Sequence, residues 1–246
     1  MRWIWILGIL AGCSGGGGSE MAGVPASTFM MGCNQEVDSE CLEYEKPCHE
    51  VTLDGYRIDV FETTQEEYAG CVNSGECNPP GCDWDPDSRA RYPVVCITYQ
   101  QAQDFCRWAG KRLCTEAEWE RAARGTDGRK FPWGNQAPGC DLAVMDDGGA
   151  GCGTLEAFAV GSKPEGRSPC GAQDMAGNVL EWTADWFGID YYQQSPAENP
   201  PGPSSGTSRV MRGGSFNSTS LTMRTSYRAQ AGPGSGYNNL GVRCCK

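Results

Sequence analysis

Read for hydrophobic periodicity, the chain yields only short elements. Phe29, Met30 and Met31 ahead of Gly32 predict a strand entering a turn. Val51 and Leu53, then Tyr56, Ile58 and Val60, alternate well enough to predict a strand pair within 49–61. Thr63 or Thr64 caps a helix that runs to about Val72, with Glu66 and Glu67 in the first turn, where carboxylates suit the helix dipole. Residues 73–92 are punctuated by Gly, Pro, Asp and Cys and read as loop. Pro93 to Ile97 reads as a short apolar strand. Thr98 opens a helix that puts Ala102, Phe105, Cys106 and Ala109 on one face and stops at Gly110. Thr115-Glu116-Ala117-Glu118 is a capping box, in which the hydroxyl and the carboxylate each accept from the other's backbone N–H. That helix reaches about Ala123 and ends at Gly125. The apolar faces of these two helices imply core packing. Regular structure then thins out until Val210–Phe216 and Leu240–Cys244, which read as closing strands. No internal repeat appears, and no apolar run is long enough to span a bilayer.

Composition sharpens this into a fold class. The 246 residues include 34 Gly and 15 Pro, which predicts an irregular, loop-rich α+β domain. Eight tryptophans and 39% apolar residues suffice for one core, assigned to residues 24–246. Net charge is -11 with no basic stripe, which argues against nucleic acid as a partner. His49 is the whole imidazole supply, so metal centres built on several histidines are excluded. Its place before a strand-like run makes it a packing residue.

Fifteen cysteines point to an oxidising compartment. Residues 1–13 agree: a positive start, a short apolar run and Leu10-Ala11-Gly12-Cys13, which resembles a bacterial lipobox. Cys13 is then the lipidated mature N-terminus, and the Gly/Ser-rich residues 14–20 are a flexible tether. This places the protein in a bacterial cell envelope, lipid-anchored to the membrane, on a periplasmic or outer-membrane face. Fourteen cysteines remain for disulfides. Their clustering suggests Cys33–Cys41, Cys71–Cys77 and Cys140–Cys152, although spacing leaves connectivity open. The paired C-x-x-C knuckles of zinc sites do not occur.

The densest chemistry lies in Asp174–Trp186. Asn178 and Glu181 are three apart, with small or apolar residues whose carbonyls are available between them. That pattern suits a hard cation, and equally a buried turn in which Glu181 accepts backbone N–H groups. Asp141, Asp146 and Asp147 sit in a Gly-rich loop that suits a cation or plain solvation.

A set of motifs occurs in order: Phe29-Met30-Met31-Gly32, Trp108-Ala109-Gly110-Lys111-Arg112-Leu113, Thr115–Glu120, Ala122–Gly125, Pro132-Trp133-Gly134-Asn135, the Asp174–Trp186 stretch, Arg209–Ser215 and Asn239–Arg243. Together they resemble the formylglycine-generating enzyme family, the sulfatase-modifying factors, over Val24 to Cys245. The resemblance implies one sparse α+β domain related to C-type-lectin-like folds. It also implies oxidation of a client cysteine to formylglycine with copper held by two cysteines. It further implies a structural calcium, with a side-chain oxygen from Glu181, backbone oxygens from Ala176, Gly177 and Val179, and Asn178 shaping the turn. A second calcium site would begin at Asp141 and Leu142. By the same resemblance Cys106 pairs with Cys244. Adjacent Cys244 and Cys245 would close a strained ring, and Cys114 stands where the family has Pro, so Cys114–Cys245 is the second expected pair.

The chain departs from the family where the copper cysteines belong. Ser218 takes the first position and Met223 stands nearest the second, and no cysteine occurs between Cys170 and Cys244. Copper(I) needs soft sulfur, and a serine hydroxyl supplies neither a soft ligand nor a nucleophilic thiolate at neutral pH. Catalysis through Ser218 to Met223 is therefore not expected, and copper is not an expected cofactor. Family iron sites built on several histidines are also unsupported, whereas relatives of pyoverdine-maturation oxidases stay compatible. The expected function is a binding or scaffold module for a protein, peptide or glycan, with Trp182, Arg212 and Ser215 lining the old substrate groove. The alternative is an oxidoreductase or protein-modifying enzyme with other ligands.

Overall fold

The computed structural model describes residues 19–149 and 152–246; the expected signal segment 1–13 with Cys13, and residues 14–18 of the expected tether, lie outside the described residues. The elements run β1 (Met21–Val24), β2 (Ser27–Met31), β3 (His49–Leu53), β4 (Tyr56–Asp59), α1 (Gln65–Ser74), α2 (Tyr99–Trp108), β5 (Arg112–Leu113), α3 (Glu116–Arg124), β6 (Leu180–Trp186), β7 (Arg209–Arg212), β8 (Ala229–Ala231), β9 (Leu240–Gly241) and β10 (Cys244–Cys245). Each helix starts on a complete capping box: Thr64 with Glu67, Thr98 with Gln101, Thr115 with Glu118. Helix α1 ends on Gly75 in the left-handed region, which only glycine adopts without strain. The apolar run Pro93–Ile97 forms no strand. Pro93 makes a single bridge to Thr64, and the run follows a loop course under the helices.

Two four-stranded sheets and one hairpin carry the fold. One sheet is ordered β1-β4-β10-β5, the other β8-β7-β6-β9, and β2 pairs with β3. All pairings are antiparallel except β6 with β9. Phe29, Met31, Val51 and Leu53 turn from the hairpin onto Trp119, Ala122 and Ala123 of α3, forming one core cluster. A second cluster gathers Tyr68, Ile97, Phe105, Trp182 and Leu240 between α1, α2 and the β6 sheet.

Six disulfides tie the loops: Cys33–Cys41, Cys71–Cys77, Cys82–Cys96, Cys106–Cys244, Cys114–Cys245 and Cys140–Cys152. Cys48 and Cys170 are free thiols, so the described cysteines are not all paired. The two bridges to the C-terminal strand span 138 and 131 residues. Loops of that length constrain the unfolded chain most, on the order of 5 kcal/mol in the chain-entropy picture.

Six arginines are buried among the described residues; Arg121 donates to the Ser27 hydroxyl, and the other five each meet a buried carboxylate. Arg224 grips Glu45 at 2.8 Å through both terminal nitrogens, Arg228 holds Glu116 at 2.7 and 2.8 Å, and Arg243 holds Glu181 at 2.8 and 2.7 Å. Arg124 and Arg212 share Glu120. Asp185 lies beside Glu116 without an arginine of its own; it accepts the Glu116 N–H at 2.7 Å. Burial, and then the charge of Glu116, pushes the Asp185 carboxyl from an ordinary 3.8 up to about 8. The folded state thus holds a proton that the unfolded state has released. The contribution is complete below about pH 3.8 and is lost as pH rises through about 8. Asp185→Asn should flatten the fall in melting temperature between pH 6 and pH 8.5. An unchanged fall would show that Asp185 is ionised in the folded protein.

Candidate functional site

The segment after β7 builds the centre of interest. Gly213 and Gly214 both have positive φ, 97° and 72°, so the chain leaves the strand in a turn closed to residues with a Cβ. A Cβ on Gly214 would stand 3.1 Å from Met223 Cγ and 3.3 Å from Ser218 Cβ. Ser218 and Met223, four and nine residues along, are therefore brought to one point against the same glycine. Ser218 Oγ accepts the Ser215 N–H at 2.9 Å. Ser215 Oγ donates to Asn217 Oδ1 at 2.7 Å and accepts from Asn239 Nδ2 at 3.1 Å. Met223 is fully buried in a third core cluster with Phe131, Met145 and Ala176. The segment ends in Arg224, locked on Glu45 and Asp38. The arrangement offers hydroxyls, amides and one thioether. It offers no thiolate.

Phe216, beside Ser215, faces a cavity of about 230 Å³ whose wall also includes Arg89, Tyr92, Val95 and Asn238. The residues assigned to a groove from sequence take other places. Trp182 is buried, its indole donating to the Ile97 carbonyl at 3.0 Å. Arg212 is buried against Glu120 and the carbonyls of Thr225, Ser226 and Tyr227. Ser215 is buried in its amide cluster. All three are buried, with their hydrogen-bond partners inside the protein, and none lines that cavity. Arg89 and Tyr92 sit in a stretch that sequence reasoning passed over as loop. The signal available was an arginine and a tyrosine three apart between closely spaced cysteines.

The comparison with known sequences decides the family. A sequence model described as the Sulfatase-modifying factor enzyme 1-like domain matches residues 16–246. The chain belongs to this family. The formylglycine-generating enzyme of Streptomyces coelicolor is 38% identical over 183 residues, covering 68% of this chain and 56% of that protein. The formylglycine-generating enzyme of Mus musculus is 31% identical over 287 residues, covering 92% of this chain and 74% of that one. This chain thus spans little more than half of the Streptomyces relative. Among solved structures, that of PvdO from Pseudomonas aeruginosa superimposes with a TM-score of 0.79 at 26% identity, covering 92% of this chain and 94% of that one.

The sulfatase-modifying-factor domain also gathers carboxylates around β6. Glu181 has both oxygens engaged, by Arg243 and by the Trp119 indole at 2.6 Å. Glu62 and Asp174, which sequence reasoning did not single out, join it. Glu62 accepts from the Val179 N–H at 3.0 Å and from the Asn178 amide at 2.5 Å. Asp174 accepts the Gly161 N–H at 2.6 Å. Burial, and then Asp174 and Glu181, push the Glu62 carboxyl well above the usual carboxylate range; burial likewise raises Asp174. Three carboxylates thus surround one guanidinium, and they are oxygen donors of the kind a hard cation uses, although their oxygens do not all converge within 4.8 Å of one another. Glu181, already held by Arg243, is the least free of the three. Ala176 and Val179 are buried beside them, and Gly177 packs so closely on the Val144 carbonyl that a Cβ would come within 2.3 Å. Asn178, at φ 60°, ties the turn through Glu62 and the backbone of Phe158. Asp141 and Leu142 form a separate turn closed by Leu142 N–H on the Gly139 carbonyl.

Proposed function

We propose that this protein is a lipid-tethered, extracytoplasmic sulfatase-modifying-factor-like domain that binds a polypeptide on the face around Ser215–Met223 and does not make formylglycine with copper. One observation carries the reading: Ser218 and Met223 occupy one point against Gly214, where the family resemblance implies a copper cysteine pair, and residues 171–243 contain no cysteine. A hydroxyl and one thioether do not replace two thiolates as ligands for copper(I). The family resemblance implies action on a cysteine of a client protein, which supports a polypeptide as the ligand class. A membrane tether is supported by the lipobox-like Leu10–Cys13 and the glycine run after it.

We also propose a structural calcium in the basin of Glu62, Asp174 and Glu181, with Gly177 and Val179 beside it. Bound there, the ion would neutralise surplus buried negative charge and brace β6. A second site at Asp141 and Leu142 would have that turn alone as its support.

Oxygen consumption with copper or iron and a cysteine-containing peptide should not exceed the protein-free blank. The variant Ser218→Cys/Met223→Cys should gain copper(I) binding in a chelator competition. Turnover by the unaltered protein, abolished by metal removal, would establish the enzymatic alternative. Cys13→Ser should move the protein from the membrane fraction to the soluble fraction; retention with membranes would overturn the lipid anchor. Excess EGTA should lower the melting temperature and added calcium restore it, as for any ligand bound only to the folded state. Glu62→Gln should abolish that response. A melting temperature indifferent to EGTA would remove calcium from the basin.

A further inference from the structure

We propose that the cavity beside Phe216 receives the C-terminal residue of a polypeptide, its terminal carboxylate on Arg89 and an aliphatic side chain against the apolar wall. This rests on the polypeptide-binding reading above and specifies which part of the polypeptide is held. At about 230 Å³ the cavity is of single-residue size. It falls below the roughly 300–1,000 Å³ of ordinary small-molecule sites. Pro93, Val95, Ala157 and Phe216 supply the apolar wall.

Arg89 is prepared for a carboxylate. Its guanidinium lies over the Tyr92 ring, 4.4 Å from the centroid, so the side chain is already ordered. Its acidic partner among the described residues is Glu156, at 3.4 Å. A good charge-assisted contact is about 2.7–2.9 Å, and arginine reaches full strength with a carboxylate engaged through two nitrogens. The Glu156 side chain is 69% exposed, that of Arg89 only 30%. Glu156 therefore occupies the guanidinium loosely from the solvent side, and an incoming carboxylate replaces it. Asp83 and Asn238 also line the cavity and offer acceptors for the amide N–H of the bound residue.

The wall is held in shape independently of any ligand. Asp83, Arg89, Tyr92, Pro93 and Val95 all fall inside the loop closed by Cys82–Cys96, a separation of 14 residues. Cys96 also binds the opposite wall: its N–H donates to the Tyr237 carbonyl at 2.9 Å, and its carbonyl accepts the Gly81 N–H at 3.0 Å. A loop clasped in this way loses little entropy on binding, which favours recognition by so small a cavity.

The test is titration calorimetry of the full domain with three probes: acetyl-Gly-Gly-Leu as the free acid, the same peptide as its C-terminal amide, and acetyl-Gly-Glu-Gly amide. The free acid should bind at least about tenfold more tightly than either amide. Arg89→Gln should reduce the acid to the level of its amide. Glu156→Gln, at an exposed position, should tighten the acid by freeing Arg89, an effect that a merely structural Arg89 would not show. Cys82→Ala/Cys96→Ala should weaken the acid. Equal binding of acid and amide, tightest binding of the internal glutamate, an unaffected Glu156→Gln or no saturable binding would each overturn the proposal. Equal binding of all three peptides would leave the broader polypeptide-binding reading in place. Oxygen uptake with a cysteine peptide would overturn that reading and not the carboxylate preference.

Discussion

The fold depends on placing guanidinium groups where water does not reach. Arg124, Arg212, Arg224, Arg228 and Arg243 are all at most 2% exposed. An ion buried alone costs several kcal/mol, so each is tolerable only with near-ideal partners. The partners are remote in sequence. Arg224 reaches back 179 residues to Glu45, and Arg228 reaches 112 residues to Glu116. A chain with strands of two to seven residues has few ladder bonds to hold long loops in register. Bidentate ion pairs do that work here, because both distance and angle must be right before the desolvation of either ion is offset. Losing one partner costs about 3–5 kcal/mol, since the other charge stays buried.

The candidate site inherits its geometry from these pairs. Residues 213–223 hang between Arg212, fixed on Glu120, and Arg224, fixed on Glu45 and Asp38. The turn at Gly213 and Gly214 and the meeting of Ser218 with Met223 therefore need no metal to hold them. The same logic separates the sulfur from the site. Ten of the twelve bridged cysteines lie outside the loop that walls the cavity, and only Cys82–Cys96 shapes it. The bridged sulfur serves as framework, and the cavity is lined by a guanidinium, two carboxylates, amides and aromatic rings.

Local signals were legible where backbone chemistry is local. The three capping boxes located α1, α2 and α3, and the alternation at Val51–Val60 located the hairpin partner β3 and strand β4. The ordered motifs gave the family and, through it, the pairing Cys106–Cys244; Cys114–Cys245 followed from a cysteine that departs from the family pattern and from the strain of bonding two adjacent cysteines. Strand β6 escaped, although it is a middle strand of its sheet. Periodicity failed there because both of its faces are covered, so Glu181, Thr183 and Asp185 are buried beside Trp182 and no apolar–polar alternation survives. Pro93–Ile97 failed in the opposite sense: the apolar residues are buried under helices as a loop. Trp182 and Arg212 are expected along the old substrate groove of the resembled family; their burial depends on acceptors at Ile97 and Glu120 that no local pattern reveals.

The carboxylate basin and the arginine pairs express one constraint from two sides. The five most deeply buried arginines each have a carboxylate partner, and around β6 carboxylates are in surplus, where Glu62, Asp174 and Glu181 face Arg243 alone. Burial leaves such a group two ways to be neutral: take up protons or admit a cation. The raised Glu62 and Asp174 carboxyls describe the first outcome. A divalent cation would produce the second and would draw both groups back toward ionisation. Because Asn178 and Val179 donate to Glu62 directly, either outcome is transmitted to the turn that leads into β6. From there it reaches β7, which pairs with β6 at Glu181 and Arg212 and delivers the chain to Gly213. Charge balance in the basin is therefore coupled through one strand pair to the floor of the candidate site.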